Sequence, residues 1–441
     1  MNKLTGRDYI LGVQHMFAMF GATVLVPLIT GLSVSTTLLM AGLGTLLFHL
    51  VTGGKVPAFL GSSFAFLGGY GAIAPMLEDG TPNREMLPYA CLGVMFAGLL
   101  YLVVALLFKV FDVKKVMKFF PPVVTGPIII SIGLILAPTA IANSQANWWI
   151  AIIAFVTIVI CNIYGKGMIK IIPILLGVVV SCLAAVLFQL GGVEVFDPAK
   201  VEAWHAAAWF GNPIDLEVSI FAVKDAELAF ASIIAIVPIA IAAMMEHIGD
   251  VSAISSTVGK NFIANPGLNR TLLGDGIATS FSAMFGGPAN TTYGENTGVL
   301  ALTKVYDPRV VRIAAYLAIV LSFSPKVAAT INMIPTAVIG GVSLILYGMI
   351  SAIGTRNLVE NRVDLAASRN IIITATILVS ALGFNSIGGI SFTVAGTQVT
   401  LTGLAIAAIL GIILNAVLPG KDFEFIADEQ QNSEKGVDFR A

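Results

Sequence analysis

Charge is what this sequence has least of. Of its 441 residues only 11% are Asp, Glu, Lys or Arg, while 57% are hydrophobic and the mean hydropathy is +0.92. Soluble globular chains carry roughly 25% charged residues, so an ordinary soluble domain is excluded. The net charge of −1 leaves no basic field for nucleic acid or another polyanion. Cysteine is almost as scarce: Cys91, Cys161 and Cys182 all sit in apolar runs and read as small apolar filler, not a disulfide framework or a CxxC metal site. There is no HExxH motif, no ligand set with metal spacing, no Walker A sequence and no nucleophile elbow. An ATP-driven pump and an intramembrane hydrolase therefore have no support, and neither enzyme activity nor a cofactor or metal is expected. No small-residue cleavage site follows Lys3 and Arg7, so the first apolar run reads as a retained span.

Apolar runs are abundant instead. Segments long enough to cross a hydrocarbon core, about 17–25 residues each, fall at 9–29, 35–52, 58–76, 87–108, 120–138, 147–163, 169–190, 226–251, 271–286, 290–303, 309–325, 330–353, 368–384 and 398–418. The third and tenth are short and Gly-interrupted, which marks them as broken helices. Basic residues fill every second link, at Lys3 and Arg7, Lys55, Lys109 to Lys118, Lys166 and Lys170, Lys260 and Arg270, Lys304 to Arg312, and Arg356 to Arg369. Links 31–36 and 139–147 have none, and 78–85 is net acidic. The positive-inside rule then places both termini in the cytoplasm and requires an even span count. The fold class is an all-α polytopic membrane protein of about fourteen transmembrane segments. The long link 191–225 falls on the outer side as a solvated or interfacial loop, and the tail from Lys421 reads as a partly disordered cytoplasmic end.

Three weak internal matches occur in the same order. Gln14-His15 pairs with Glu246-His247, Gly61 to Phe64 with Asn290 to Tyr293, and Pro121 to Gly126 with Pro335 to Gly340. They suggest two related halves of seven spans, the second inverted because seven is odd. In such architectures the substrate site lies near the midplane, where interrupted segments meet.

The stretch Gly286 to Lys304 is the most polar part of any span and holds Glu295 beside Asn296. Four carboxylates fall within spans: Glu246, Asp250, Asp275 and Glu295. Intramembrane acids face a cavity or the bundle interior, so they are functional candidates. Glu246 and Asp250 are four apart and share a helix face, an arrangement suited to holding a proton. Asp275 reads as a helix-start or packing residue. His15 and His247 read as hydrogen-bonded struts ahead of proton relays, His49 as packing, and His205 as a loop residue. The stretches at 61–64 and 290–293 suit two short antiparallel strands at mid-membrane. Their spare N–H groups would face a planar, uncharged heterocycle, with Phe64 or Tyr293 over its ring. On spacing alone, a nucleobase competes there with amino acids and other small polar solutes.

The run from Glu295 to Lys304 (Glu-Asn-Thr-Gly-Val-Leu-Ala-Leu-Thr-Lys) resembles the signature of the nucleobase–ascorbate transporter family, and Gln14-His15 resembles its first-span motif. The resemblance runs from the first span to the last. The segments Gln14 to Pro27 and Gly61 to Phe66 look most like bacterial uracil permeases. It implies a seven-plus-seven inverted repeat with core segments 1–110 and 225–327, gate segments 111–224 and 328–420, and a tail 421–441. It also implies proton-coupled import of uracil by alternating access across the cytoplasmic membrane, with a homodimer as a further option and no nucleic-acid partner. A purine carrier for xanthine or urate and a passive facilitator for small neutral solutes are the alternatives. Carried over position by position, Glu246 and Glu295 would bind uracil through their carboxylates, Phe64 and Gly294 through backbone groups, and Tyr293 would line the pocket. Ser343 and Tyr347 would approach from the gate side, Asn296 would brace the site, and His15 would join the core network. The chain departs from the uracil permeases at Asp250, where they can carry His. That leaves the proton carrier open between Glu246 and Asp250.

Overall fold

The computed structural model describes residues 4–77, 81–111, 113–394 and 397–420, without the side chains of Val113, Lys114, Glu295, Val394, Thr397 and Gln398. The first half runs α1 (Gly6–Thr30), α2 (Val34–Val51), β1 (Leu60–Ser62), α3 (Leu67–Ile73), α4 (Leu87–Val110), α5 (Pro122–Ser144), α6 (Trp148–Tyr164) and α7 (Pro173–Leu190). The second runs α8 (Ala226–Ile236), α9 (Ile239–Val258), α10 (Leu268–Met284), β2 (Asn290–Thr292), α11 (Gly294–Thr303), α12 (Pro308–Ser322), α13 (Thr336–Glu360), α14 (Ser368–Ser386), β3 (Ile390–Val394), β4 (Thr397–Leu401) and α15 (Gly403–Val417). Local chemistry sets the boundaries. Proline opens α5, α7 and α12, where its missing N–H is no loss. Ser33, Asp225, Asp307 and Thr402 accept first-turn N–H bonds as caps. Helix α1 stops at Gly31, whose φ of 80° is open to glycine at little cost.

Among the described residues, six helices are long and apolar enough to cross a membrane: α1, α2, α4, α5, α7 and α13. Two bent pairs, α8 with α9 at 40° and α12 with Pro325–Asn332 at 91°, bring the number to eight. The third and tenth expected spans are indeed broken, each a three-residue strand followed by a short helix. The fourteenth is shorter than expected, because residues 397–401 pair with Ile390–Val394 in a second hairpin and the helix begins only at Gly403. The alternation of Ile-Ser-Phe-Thr-Val and Thr-Gln-Val-Thr-Leu is a strand signal that straddles the link and the start of the last expected span.

The helices pack where small residues let backbones approach, the usual basis of helix association in lipid. In α4 against α10, a methyl on Gly98 or on Gly276 would lie 2.7 Å from the other's carbonyl oxygen. In α5 against α13 the same holds at 2.6 Å for Gly354 on Gly126. Contacts Gly126 with Leu358, Gly133 with Ser351 and Gly340 with Ser144 run in opposite chain directions, so these two helices are antiparallel.

The link 191–225 is docked, not free. Helix Pro198–Ala206 packs on Pro325–Asn332, with Lys326 Nζ 4.0 Å from the centre of the Trp204 ring. Arg84 pairs with Asp215 at 2.8 Å, and Thr36 Oγ1 donates to Pro213 O at 2.7 Å. The expected tail from Lys421 lies outside the described residues.

Candidate functional site

Strands β1 and β2 are antiparallel, with Leu60 opposite Thr292, Gly61 opposite Thr291 and Ser62 opposite Asn290. Two flanking bonds extend the ladder: Tyr293 N–H to Phe59 O at 3.0 Å and Ser63 N–H to Ala289 O at 2.8 Å. Each strand start is fixed by a threonine from the preceding helix. Thr45 on α2 accepts the Leu60 N–H at 2.9 Å, and Thr279 on α10 accepts the Asn290 N–H at 3.2 Å. Ser62 Oγ donates to Thr23 O at 2.9 Å and ties β1 to α1. Position 61 has no room for a side chain: a methyl there would meet the Tyr293 ring at 2.4 Å, and the Tyr293 hydroxyl donates to Ser62 O at 3.0 Å. Tyr293 thus ties the two strands together.

Helix α9 lies beside this pair. Thr292 Oγ1 donates to Asp250 Oδ2 at 3.2 Å and is 3.4 Å from His247 Nδ1. A methyl on Gly294 would be 3.6 Å from Asp250 Oδ1, so the start of α11 abuts the same carboxylate. His247 Nδ1 is also 3.4 Å from Asp275 Oδ2, both side chains being fully buried. This corrects the helix-start reading of Asp275. Helix α10 begins three residues earlier than the sequence suggested, which puts Asp275 in mid-helix with its acid facing a histidine. Glu246, four residues before Asp250, is partly buried on the same helix.

On the far side of the strands Asn296 Nδ2 donates to His15 O and lies 3.2 Å from His15 Nδ1. With the amide as donor, Nδ1 accepts and the ring proton sits on Nε2. Glu295 is the second residue of α11, but its side chain lies outside the described residues. Helix α13 carries Ser343 and Tyr347, both buried. The Tyr347 ring meets Phe64 edge-on, at 6.1 Å between centres and 75° between planes. Strands, α9, α11 and α1 therefore gather Phe64, Asp250, Tyr293, Gly294, Asn296 and His15. Tyr347 reaches them through Phe64.

Space opens on one side of that aromatic pair. A cavity of about 410 Å³ is bounded by Thr30, Pro75, Met76, Thr139, Gly388 and Tyr347 among others, at the bundle end that carries link 191–225. A second pocket of about 10 Å³ adjoins Phe64, Ile132, Ile239 and Leu404. That is room for about one water.

The arrangement can hold a small polar solute and bury an acid next to it. The sequence reading missed the threonines. Thr292 bridges Asp250 and His247, and Thr45 and Thr279 latch the strands; only the polar excess of the Thr-Thr-Tyr stretch hinted at them.

Comparison with known proteins adds the relationship. The sequence pattern of the Permease family matches residues 6–390. The chain is 42% identical to the uracil permease of Bacillus caldolyticus over 425 residues, 94% of this chain and 93% of that one. It is 39% identical over 421 residues to the uracil permease of Bacillus subtilis (strain 168), 92% and 91% of the two chains. The transmembrane domain of the cyanobacterium bicarbonate transporter BicA superposes with a TM-score of 0.62 at 16% identity, over 94% of this chain and 99% of that one. SLC26A9 does so at 0.61 and 13%, over 93% and 64%. At such identities the likeness concerns the fold alone.

Proposed function

The chain belongs to the nucleobase–ascorbate transporter family of integral membrane permeases, and on that premise we propose that it is a proton-coupled uracil importer. Its relatives at about 40% identity are named for uracil. The observation that carries the mechanism is the β1–β2 pair set against α9. Two short strands leave backbone groups and helix starts without lipid-side partners, and a carboxylate helix runs alongside. Uracil, planar and neutral, offers two N–H donors and two carbonyls to such a frame. In this reading Glu246 and Glu295 accept its N–H groups, and Phe64 and Gly294 meet its carbonyls through the backbone. Tyr293 lines the pocket, Ser343 and Tyr347 close it from the other wall, and Asn296 and His15 keep the frame rigid.

Transport then needs movement of a core (segments 1–110 and 225–327) against a gate (111–224 and 328–420), in about fourteen spans arranged as two inverted sevens. The two threonine latches, each from a helix onto the next strand, and the reciprocal α5–α13 contact support that symmetry. Both termini are placed in the cytoplasm by the basic links, which puts the 410 Å³ cavity on the outer side. The proton rides on Glu246 or Asp250. A neutral acid can both donate and accept hydrogen bonds, so protonation favours loading and deprotonation inside favours release.

Uptake of radiolabelled uracil into proteoliposomes, with and without an inward proton gradient, tests the reading. Faster uptake and uphill accumulation with the gradient are expected; equal rates and equal accumulation would remove the coupling. Competition by xanthine and urate separates uracil from a bicyclic substrate.

A further inference from the structure

The large cavity and the pocket beside Phe64 adjoin and share part of their lining, which forms a waist between them. Five residues border both spaces: Gly68, Ile135, Leu136, Asn385 and Thr402. Three of them offer only aliphatic or backbone surface. The Thr402 hydroxyl already caps α15, accepting the Ala405 N–H at 3.4 Å. Asn385, near the end of α14, is different. It is half-buried at the waist, and its side-chain amide makes no hydrogen bond to any described residue. A methyl on Gly403 would meet Asn385 N at 2.6 Å, so the start of α15 fixes the backbone that carries the amide.

A carboxamide holds a donor and an acceptor side by side. That is the complement of a cis-lactam edge, the N–H next to C=O that every oxo-substituted nucleobase presents, and the two can form a paired hydrogen bond. Everything else at the waist is apolar or already committed. We infer that Asn385 forms an outer recognition subsite, which reads the lactam edge of a nucleobase before it passes Phe64 and Tyr347 into the cradle. The inference rests on the proposed function for its ligand class and adds a selection step separate from the cradle. Ile135 and Leu136 of α5 and Gly68 of α3 supply apolar lining at the waist, while the pocket beyond has room for about one water. Passage therefore requires the Phe64–Tyr347 contact to open, and Asn385 holds the base while it does.

The test compares Asn385→Ala and Asn385→Gln with the unmodified protein, in reconstituted vesicles and by equilibrium binding of uracil in detergent. Gel filtration and thermal melting check that each variant folds. Asn385→Ala should raise the KM for uracil uptake about tenfold, the worth of a good hydrogen-bond pair, and weaken discrimination against 1,3-dimethyluracil, which lacks both lactam N–H groups. The equilibrium affinity of the cradle should change less than twofold, and Asn385→Gln should recover part of the KM. Unchanged KM and unchanged dimethyluracil discrimination in a folded Asn385→Ala protein would overturn the subsite while leaving uracil transport standing. Should Asn385→Ala not fold, the same two readouts on Asn385→Gln and Asn385→Ser decide it. Failure of the unmodified protein to take up uracil would instead remove the uracil assignment. The subsite is then judged by the same comparison on whichever competing base is transported, and falls with the assignment if none is.

Discussion

At the scale of single residues, the proposed site rests on polar side chains set in an apolar bundle. Glu295→Gln replaces a charged acceptor with an amide and should weaken uracil binding by roughly 10- to 100-fold, the range for a hydrogen bond to a charged group. Glu246→Gln should do the same where Asp250 carries the proton, and less where Glu246 itself is the neutral acid. Calorimetry in detergent measures this; full affinity in both would remove the proposed ligands. Gly61→Ala should be nearly as damaging without touching substrate. Its methyl would take the place of the Tyr293 ring, and the 3.0 Å bond to Ser62 O would go with it. Binding should fall along with the melting temperature, whereas Tyr293→Phe, which keeps the ring, should retain most of both. The acids were legible in the sequence because charge is so rare in its spans, and the Gly61 motif because it recurs as an ordered match in the second half. The partners were not. That Thr292 would bridge Asp250 and His247, or that Asp275 would face His247, depends on where α9 and α10 cross, and no spacing rule gives a crossing point.

At the scale of elements, the long helices could be read from apolar length and the broken ones from glycine and proline. The β3–β4 hairpin could not, because β3 falls in the link before the last expected span and β4 is absorbed into the start of that span. Helix contact through bare backbone makes a sharp prediction. Gly276→Leu forces a branched side chain against Gly98 O and Tyr101. It should cost several kcal/mol, beyond the ~1–3 typical of overpacking, and appear as loss of the monodisperse folded protein in gel filtration. A milder effect is expected at the start of α12. Hydrogen bonds from Arg309 hold the Asp307 carboxyl below its ordinary pKa while Asp307 caps the Arg309 N–H. A lowered native pKa means this contribution is complete above the unfolded acid's pKa and disappears as pH falls through the native one. Asp307→Ala should therefore lower the melting temperature at pH 7, by about the 1 kcal/mol of a lost cap, and the difference should narrow as pH falls below the unfolded acid's pKa.

At the scale of the whole molecule, the seam that moves in the proposed mechanism runs past Phe64, Tyr347, Ile239 and Leu404. Cysteines at Ile239 and Leu404, in a background freed of Cys91, Cys161 and Cys182, border one small pocket from its two sides. Joining them with a short bifunctional thiol reagent should abolish uptake, and a cleavable reagent should let reduction restore it. Undiminished uptake in fully cross-linked protein would show that this seam stays closed throughout transport. The three-rung ladder has a further consequence, for biogenesis. Its strands are separated by well over two hundred residues, so Leu60–Ser62 enters the bilayer long before Asn290–Thr292 is translated. Until then its N–H and C=O groups lack their partner inside a medium without water, a condition membranes tolerate poorly. The first half is thus born incomplete and is finished by the second. Cutting the gene within the link 191–225 and expressing the two fragments together should restore uptake that neither fragment supports alone.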